Sequence, residues 1–467
     1  MQPPAVTIRR RFACTTLLVG GVLVALAGPA TAQTPPRDPV GGIDVVQVDG
    51  LLDPPNAALV EDAITRAADR GSSLLVFQLD ASGAVDVDVE RLVDAIEASR
   101  VPVAVWIGPS RARAQGAAAL LALTAPVVAA APGAGIGPVD PVNLDRPSEP
   151  TRDDLEQRVG VIQEDRGRDA DTAAALVGGR LGAREAVRAG AIDRLEPTVG
   201  DFIVSLDGRV VQTVDGAVRL STARLVNPEG SDFGDARRQP NQEVRFAKLG
   251  LGAQVAHTLV SPWVAYFLFV VGIALMIFEF YTAGVGIAGV VGAGAFVGAL
   301  FGFSHLPVHW WAAALLVVGM LGLTIDLQAG GLGPWTVLGA ASLVAGSVTL
   351  YGGSSRLDPA WWIVAGVCGG AVLFVLGGMT AMVRARFSTP TVGREDLVGE
   401  LGDAEVDVAP DGVVRVRDAL WRARTNRATP LRAGDRVRVV AIDGVVLEVE
   451  PESGGARDHR DRARRRD

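Results

Sequence analysis

The chain has 467 residues and a formal net charge of −8, from 52 acidic and 44 basic side chains. One basic residue is a lysine, Lys248, and the first of the four histidines is His257. Residues 1–247 therefore contain no base for a Ser-His-Asp triad or a Ser-Lys dyad of their own. Because their only thiol is Cys14, a zinc site of the His/Cys kind is excluded there too. The acidic balance argues against general nucleic-acid binding.

The N-terminal segment has the features of a secretory signal. Three arginines, Arg9–Arg11, precede the apolar stretch Thr15–Ala27, and Ala30-Thr31-Ala32 supplies a small-residue cleavage site. We therefore predict a signal peptide over residues 1–32, with an uncleaved membrane anchor as the alternative. Removal of the signal would leave Cys368 as the single cysteine, so no intramolecular disulfide is expected.

Residues 43–226 alternate short apolar runs with helical patterns, which is typical of βαβ units. They predict an α/β domain with a largely parallel sheet. The predicted strands are Val45–Val48, Leu74–Leu79, Val103–Ile107 and Val127–Ala130, and the predicted helices are Asn56–Arg70, Val87–Ser99 and Arg113–Leu123. The polar residues that follow predict a linker over 227–258.

Residues 259–383 hold about five apolar segments, each close to the roughly 20 residues that cross the hydrocarbon of a bilayer. They are Leu259–Phe278, Ala283–Phe303, His309–Ile325, Leu332–Tyr351 and Ala360–Val383. The glycines Gly294, Gly298 and Gly302 predict close helix packing. Glu279 and Asp326 fall at segment ends, and the absence of lysine, arginine and aspartate within the spans disfavours a transporter or channel.

Five crossings after an exported domain place the C-terminus in the cytoplasm, and Arg384, Arg386 and Arg394 flank the last segment as the positive-inside rule expects. Residues 390–452 alternate with period two and predict a small all-β barrel of the OB type. Its predicted strands are Gly399–Val408, Gly412–Thr425, Asp435–Ile442 and Val445–Val449, with turns at Asp411-Gly412 and Asp443-Gly444. With Trp421 as its single aromatic residue, nucleic-acid binding is not expected. A disordered tail over 453–467, which could contact anionic lipid, completes the chain.

This order of parts resembles the long form of the NfeD family. The resemblance rests on Ala131-Pro-Gly-Ala-Gly-Ile-Gly-Pro138, Leu181-Gly-Ala-Arg-Glu-Ala-Val-Arg-Ala-Gly-Ala-Ile-Asp193, Glu279-Phe-Tyr-Thr-Ala-Gly-Val-Gly286 and Leu397-Val-Gly-Glu-Leu-Gly402, and on Val101-Pro-Val103 and Trp421. It implies a multidomain protein with a ClpP/crotonase-like α/β ectodomain, an α-helical transmembrane bundle and an OB-fold barrel. It also implies a ClpP-class serine protease domain with a Ser-Lys dyad, and a link to stomatin/prohibitin-type membrane proteins.

The residues of this chain depart from the family's catalytic pattern. In the alignment with the nucleophile stretch, Gly116 stands where the serine is expected. The oxyanion turn falls on Gly83 and Ala84, which keeps one of two glycines, and Leu155–Arg158, where the base is expected, contains no lysine. We therefore predict that the domain has no catalytic residues and is a pseudoprotease.

An active serine endopeptidase with a non-standard base is the alternative. Ser110 and Ser82 are the fallback hydroxyls, and Asp80 or Asp86 would have to act as the base, although such residues in a turn commonly bond the local backbone. No cofactor or metal is expected. The predicted partners are the lipid bilayer, a stomatin/prohibitin-type protein and a second copy of the chain.

Overall fold

The computed structural model describes residues 41–226, 237–282, 286–329, 333–382, 395–427 and 429–453. The chain forms two compact units, Met1–Met379 and Thr380–Asp467. The predicted signal over 1–32, the predicted tail beyond residue 453 and the arginines that flank the last apolar segment lie outside the described residues.

The α/β domain is built on a nine-stranded sheet in which β1 pairs in parallel with both β2 and β13. The other edge of β2 pairs first with β3, which leads to β5 and β8, and then at Ala81 with β4, which leads to β6 and β7. The strands are β1 Ile43–Leu52, β2 Leu74–Ala84, β3 Val103–Ile107, β4 Arg113–Ala114, β5 Val127–Ala130, β6 Gly135–Ile136, β7 Leu181–Gly182, β8 Arg194–Leu195 and β13 Val244–Ala247.

Helices cover this sheet, and the small hairpins β9–β10 and β11–β12 follow it. The helices are α1 Pro54–Arg70, α2 Val89–Glu97, α3 Ala117–Thr124, α4 Arg152–Asp165, α5 Ala173–Gly178, α6 Ala183–Arg188 and α7 Val199–Ser205. The further strands are β9 Val210–Thr213, β10 Gly216–Arg219, β11 Ala223–Val226 and β12 Arg237–Pro240. Helix α3 is buried at every position, because seven of its eight residues are alanine or leucine and the last, Thr124, donates its hydroxyl to Leu120 O.

Two sequence predictions for this part of the chain were wrong. The third helix begins at Ala117 rather than Arg113, because Gly116 takes a positive φ and Arg113–Ala114 pair with neighbouring strands instead. The described part of the predicted linker 227–258 contains regular structure. Two strands there were not predicted, because the segment is largely polar: β12, which pairs with β11, and β13, which joins the main sheet beside β1.

The apolar region contains five long helices that follow a short one. The short helix is α8 Leu251–Val260, and the long ones are α9 Pro262–Thr282, α10 Ile287–His305, α11 Trp310–Ala329, α12 Pro334–Val348 and α13 Trp361–Leu373, which continues as a π-helical turn over Phe374–Met379. By length and composition, the segments Pro262–Tyr281, Ile287–His305 and Trp361–Met382 suffice to cross a membrane. Trp310–Asp326 and Pro334–Val348 are shorter apolar helices.

The first predicted span began too early, because Leu259 belongs to the separate helix α8. The break falls at Ser261-Pro262, since a proline is accommodated at the start of a helix and not in its interior. Of the three spaced glycines of α10, Gly302 packs against the Leu259 carbonyl and Gly298 against the Leu259 side chain. Among the described residues, a Cβ on Gly294 would meet no atom within 4 Å outside its own helix backbone, so this glycine does not pack against another described element.

Helices α9–α10 and α11–α12 form two hairpins that repeat one another. Each equivalent position is 47 residues further along the chain. In the first hairpin Glu279 accepts hydrogen bonds from the amides of Gly286 (2.8 Å) and Gly289 (3.3 Å). In the second, Asp326 accepts from the amides of Gly333 (2.9 Å) and Thr336 (2.6 Å). A carboxylate thus caps the start of the following helix in both.

The C-terminal unit is a closed five-stranded barrel of order β14-β15-β16-β18-β17. Its strands are β14 Leu401–Ala404, β15 Asp411–Val416, β16 Ala419–Arg424, β17 Arg436–Asp443 and β18 Val446–Pro451. The predicted strand Gly412–Thr425 is in fact a hairpin, because Arg417 and Asp418 both take positive φ and form a two-residue turn. Asp411 starts a strand rather than a turn, whereas Gly444 lies in the predicted second turn.

The fold class predicted from the sequence is confirmed: an α/β domain, an apolar helical region and a small closed barrel. The α/β domain contacts one end of the helical region. The connections α8–α9, α10–α11 and α12–α13 all meet there, and Val85 and Leu144 of the α/β domain share a buried cluster with helix residues such as Tyr266 and Phe303. Ser354, in the last of these connections, donates its amide to Leu144 O at 2.8 Å.

Candidate functional site: the Gly116 turn and the His257 cavity

Gly116 occupies a sharp turn between β4 and α3. Its φ of 57° and ψ of −130° form a backbone conformation that glycine adopts far more readily than other residues. A Cβ built there would lie 2.6 Å from Gly83 Cα and 2.7 Å from Pro141 O, both backbone atoms. The position aligned with the family nucleophile therefore has no hydroxyl, and any side chain there requires the backbone of its neighbours to shift.

The chain itself covers this turn. The Gly116 amide donates to Pro138 O at 2.9 Å, and Leu144 packs so closely over Gly83 that a Cβ on Gly83 would lie 2.7 Å from Leu144 Cγ. Ala84 donates its amide to Val142 O at 2.9 Å and accepts from the Leu144 amide at 2.7 Å. The Ala84 amide, at the predicted oxyanion turn, is thus engaged in a strand-like pairing and not directed at a substrate.

The segment where the family's lysine is expected has a structural role. Leu155 is fully buried on α4, and Arg158 pairs with Glu90 on α2 through two guanidinium–carboxylate contacts. Since arginine stays protonated in proteins, Arg158 cannot act as a general base.

The two fallback serines each donate to a backbone carbonyl, and Ser82 is adjacent in the chain to Gly83, which contacts the Gly116 turn. Ser110 donates its hydroxyl to Pro132 O at 2.7 Å in an exposed loop after β3. Ser82 donates to Gly50 O at 3.3 Å near the end of β2. Of the carboxylates weighed as bases, Asp80 accepts the Arg113 amide at 2.9 Å and Asp86 bonds His305 at 2.7 Å.

Ser82 lines a cavity of about 370 Å³ between the α/β domain and the first apolar helices. Its polar lining includes Asp80, Ser82, Arg113, Gln115, His257 and Arg356. His257 reaches the cavity from α8, and its Nδ1 is 2.7 Å from Oδ2 of Asp53. Asp53 is fully buried and also caps α1 by accepting the Asn56 amide at 3.2 Å.

The environment of His257 favours its protonated form. The hydrogen bond to Asp53 raises the pKa of His257 and outweighs the opposing effect of burial, while the charges of Asp53 and Asp49 raise it further. Burial in turn raises the pKa of Asp49. Sequence reasoning missed this imidazole, because His257 follows the α/β domain in the chain and returns to it only through the packing of α8 on α1.

Asp193, which ends one of the family-like motifs, belongs to a buried ion network. It accepts the Val128 amide at 2.8 Å and pairs with Arg168 (3.0 Å) and Arg209 (2.8 Å). Burial alone would raise the pKa of Asp193, but these arginines and the amide outweigh it and lower the pKa. The motif therefore fixes the packing of β5 and β8. Among the described residues, no group of three or more His, Cys, Asp or Glu side chains is placed to hold a metal ion.

Comparison with known proteins matches two parts of the chain to family models. Residues 263–379 match the NfeD integral membrane domain, and residues 394–451 match the NfeD-like C-terminal, partner-binding domain. A relative from Pyrococcus horikoshii, the membrane-bound protease PH1510, is 26% identical over 454 residues, which cover 93% of this chain and 98% of that protein.

Solved structures of two separate parts of a Pyrococcus horikoshii protein are also similar. The membrane protease 1510-N, specific for a stomatin homolog, shares 19% identity with a TM-score of 0.36 and covers 46% of this chain and 97% of that one. The C-terminal domain of the stomatin operon partner protein 1510-C shares 35% identity with a TM-score of 0.13 and covers 14% of this chain and 98% of that one. The predicted resemblance to the NfeD family is thus confirmed over residues 263–379 and 394–451, which match its membrane domain and its C-terminal domain.

Proposed function

We propose that the protein is a membrane-embedded binding protein whose protease-like α/β domain has lost catalysis. The observation that carries the proposal is the Gly116 turn. It has no hydroxyl, backbone atoms fill the space of a side chain, and residues 138–144 cover it. The missing lysine removes the base as well, so neither proton transfer nor covalent attack has a residue to perform it at this position.

The partner proposed for this binding function is a stomatin/prohibitin-type membrane protein. Support comes from the family description of residues 394–451 as partner-binding and from the two relatives whose names refer to stomatin. We place the α/β domain outside the cytoplasm and the barrel inside it, on the strength of the predicted signal, the five apolar helices and the arginines that follow them. Self-association through the edges of the α/β sheet forms part of the same proposal.

A second candidate function is favoured by one observation, the shared cavity of Ser82 and His257. A buried carboxylate orients His257 as in a serine hydrolase, and a Cβ on Gly50 would lie 2.9 Å from His257 Nε2, close to the carbonyl that Ser82 contacts. In this reading Ser82 attacks the substrate carbonyl, His257 takes the hydroxyl proton and returns it to the leaving group, and water releases the acyl enzyme.

Labelling of the full-length protein in detergent with a fluorophosphonate probe distinguishes the two candidates. The binding function predicts no labelled serine in the wild type, with a known serine hydrolase as the positive control. Labelling that is lost in Ser82→Ala and in His257→Gln but kept in Ser110→Ala would establish the hydrolase and refute the binding function.

Partner binding is tested with nanodiscs that hold the full chain or a variant lacking residues 395–453. We expect a stomatin-type protein from the same genome to bind the full chain and to lose measurable affinity for the truncated one in surface plasmon resonance. Equal binding by both proteins would contradict the role of the barrel. Fusion reporters at each end of the chain, active on only one side of the membrane, check the proposed sidedness.

A further inference from the structure

Two histidine–aspartate pairs join the α/β domain to the apolar helices at the same end of the helical region. His257 on α8 bonds Asp53 at the start of α1, and His305 at the end of α10 bonds Asp86 after β2, each across 2.7 Å. In both pairs the carboxylate comes from the α/β domain and the imidazole from the helical side. The chain has four histidines, so half of them are used at this junction.

Charged side chains surround both histidines of this junction. Near His257 are Asp53 and Asp49, and the shared cavity adds Asp80, Arg113 and Arg356. Helices α9 and α10 both pack against α8. Of these, α9 carries Glu279 near its far end, and α10 ends at His305. Near Asp86 lie the charged side chains of a second cavity, Asp88, Glu90, Arg146 and Arg158.

Protonation of His257 therefore changes the attraction across the junction. A neutral imidazole makes one hydrogen bond with its aspartate, whereas an imidazolium adds charge attraction to the same contact. The side chains of Asp53 and His257 are 0% and 22% exposed, and those of Asp86 and His305 are 56% and 26% exposed. The first pair is the better shielded from solvent, so it should contribute more.

We propose that these two pairs, called here the His–Asp clamp, fasten the α/β domain to the apolar helices, and that the His257–Asp53 pair holds more tightly in acidic solution and loosens as the pH rises. Because the cavity that contains Ser82 is bounded by both sides of this junction, the clamp also sets how open that cavity is. The proposal goes beyond partner binding and holds whether or not the domain retains chemistry.

The direction of the pH effect follows from His257. Its pKa is raised by Asp53, so its contribution is complete below the ordinary value of about 6.5 and is lost as the pH rises through the raised value. Docking of the α/β domain should accordingly be tighter near pH 5.5 than near pH 8. These two pH values lie about one unit or more below and above the ordinary pKa of histidine.

Hydrogen–deuterium exchange of the full-length protein in lipid nanodiscs tests the clamp. Exchange is followed in peptides covering 251–260 and 43–56 near both pH values, with labelling times corrected for the intrinsic rate. We expect the wild type to exchange about fivefold more slowly in acid, the factor typical of one partly exposed ion pair. The double variant His257→Gln/His305→Gln should lose this difference.

His309→Gln is the matched control, because His309 lies at the same end of the helices but bonds a backbone carbonyl, that of Thr349, at 3.0 Å. It should keep the full pH effect. If the double histidine variant does not fold, Asp53→Asn/Asp86→Asn replaces it, since asparagine still caps a helix. Equal exchange of the wild type at both pH values, a pH effect that survives in the folded double variant, or its loss in His309→Gln would overturn the proposal.

Discussion

The two helical hairpins share one glycine contact between their helix backbones but use different side chains to cap the second helix. A Cβ on Gly292 would lie 2.8 Å from the Gly272 carbonyl, and one on Gly339 would lie 2.8 Å from the Gly319 carbonyl. Their capping carboxylates differ. Glu279 accepts two amides with two oxygens, whereas Oδ2 of Asp326 accepts two amides and the Thr336 hydroxyl.

This difference shows which parts of the repeat are constrained. The glycines and the carboxylate recur because the helix backbones touch and because the first amides of a helix need acceptors. The length of the acidic side chain is free to vary, provided the oxygens reach the same amides. Asp326 is 3% exposed, whereas Glu279 is half-buried, so the second hairpin should depend more strongly on its cap.

The largest effect is expected from closing the glycine contacts. Gly292→Leu and Gly339→Leu each place a side chain against backbone atoms, and overpacking of this kind costs about 1–3 kcal/mol or more. Both variants should lower Tm in detergent to a similar degree, because the two contacts are equivalent. Gly294→Leu on the same helix α10 is the control and should leave Tm nearly unchanged. A strong loss in only one hairpin would show that the repeat is not equivalent in energy.

Removing the capping carboxylates should lower Tm by different amounts in the two hairpins. We expect Asp326→Ala to lower Tm by about 5–10 °C and Glu279→Ala by about half as much, because charge-assisted hydrogen bonds are lost in both and the Asp326 site is the more deeply buried. Thermal unfolding followed by circular dichroism in one detergent measures both. The reverse order would contradict the stronger dependence inferred for the second hairpin.

The smallest effect is expected from Thr336→Val, which keeps the backbone amide and removes the hydroxyl that bonds Asp326 at 2.7 Å. The loss should be about 1 kcal/mol, as for a single side-chain hydrogen bond. If the Thr336 hydroxyl bond explains the difference between the caps, Asp326→Ala in the Thr336→Val background should approach the effect of Glu279→Ala in the wild type. An undiminished effect would assign the difference to burial instead.

The sequence by itself determined the order of layers, the position of the apolar helices and the residues missing from the family's catalytic pattern. Strand and helix periods of two and 3.6 residues are local properties, so β3 and β5 were predicted with their observed bounds. The count of lysines likewise needs no structure to exclude a Ser-Lys dyad formed within residues 1–247.

Only the tertiary structure decided what surrounds those positions. Local patterns say nothing about which distant segments meet, because that depends on the packing of whole elements. Packing brought residues 138–144 over Gly116, returned His257 to Asp53 from about two hundred residues away, and aligned Glu279 with Asp326 as equivalent caps. The sequence shows that the aligned positions lack the family's serine and lysine; the fold shows that backbone atoms surround Gly116 and that the cavity beside it contains an imidazole supplied by the helical region.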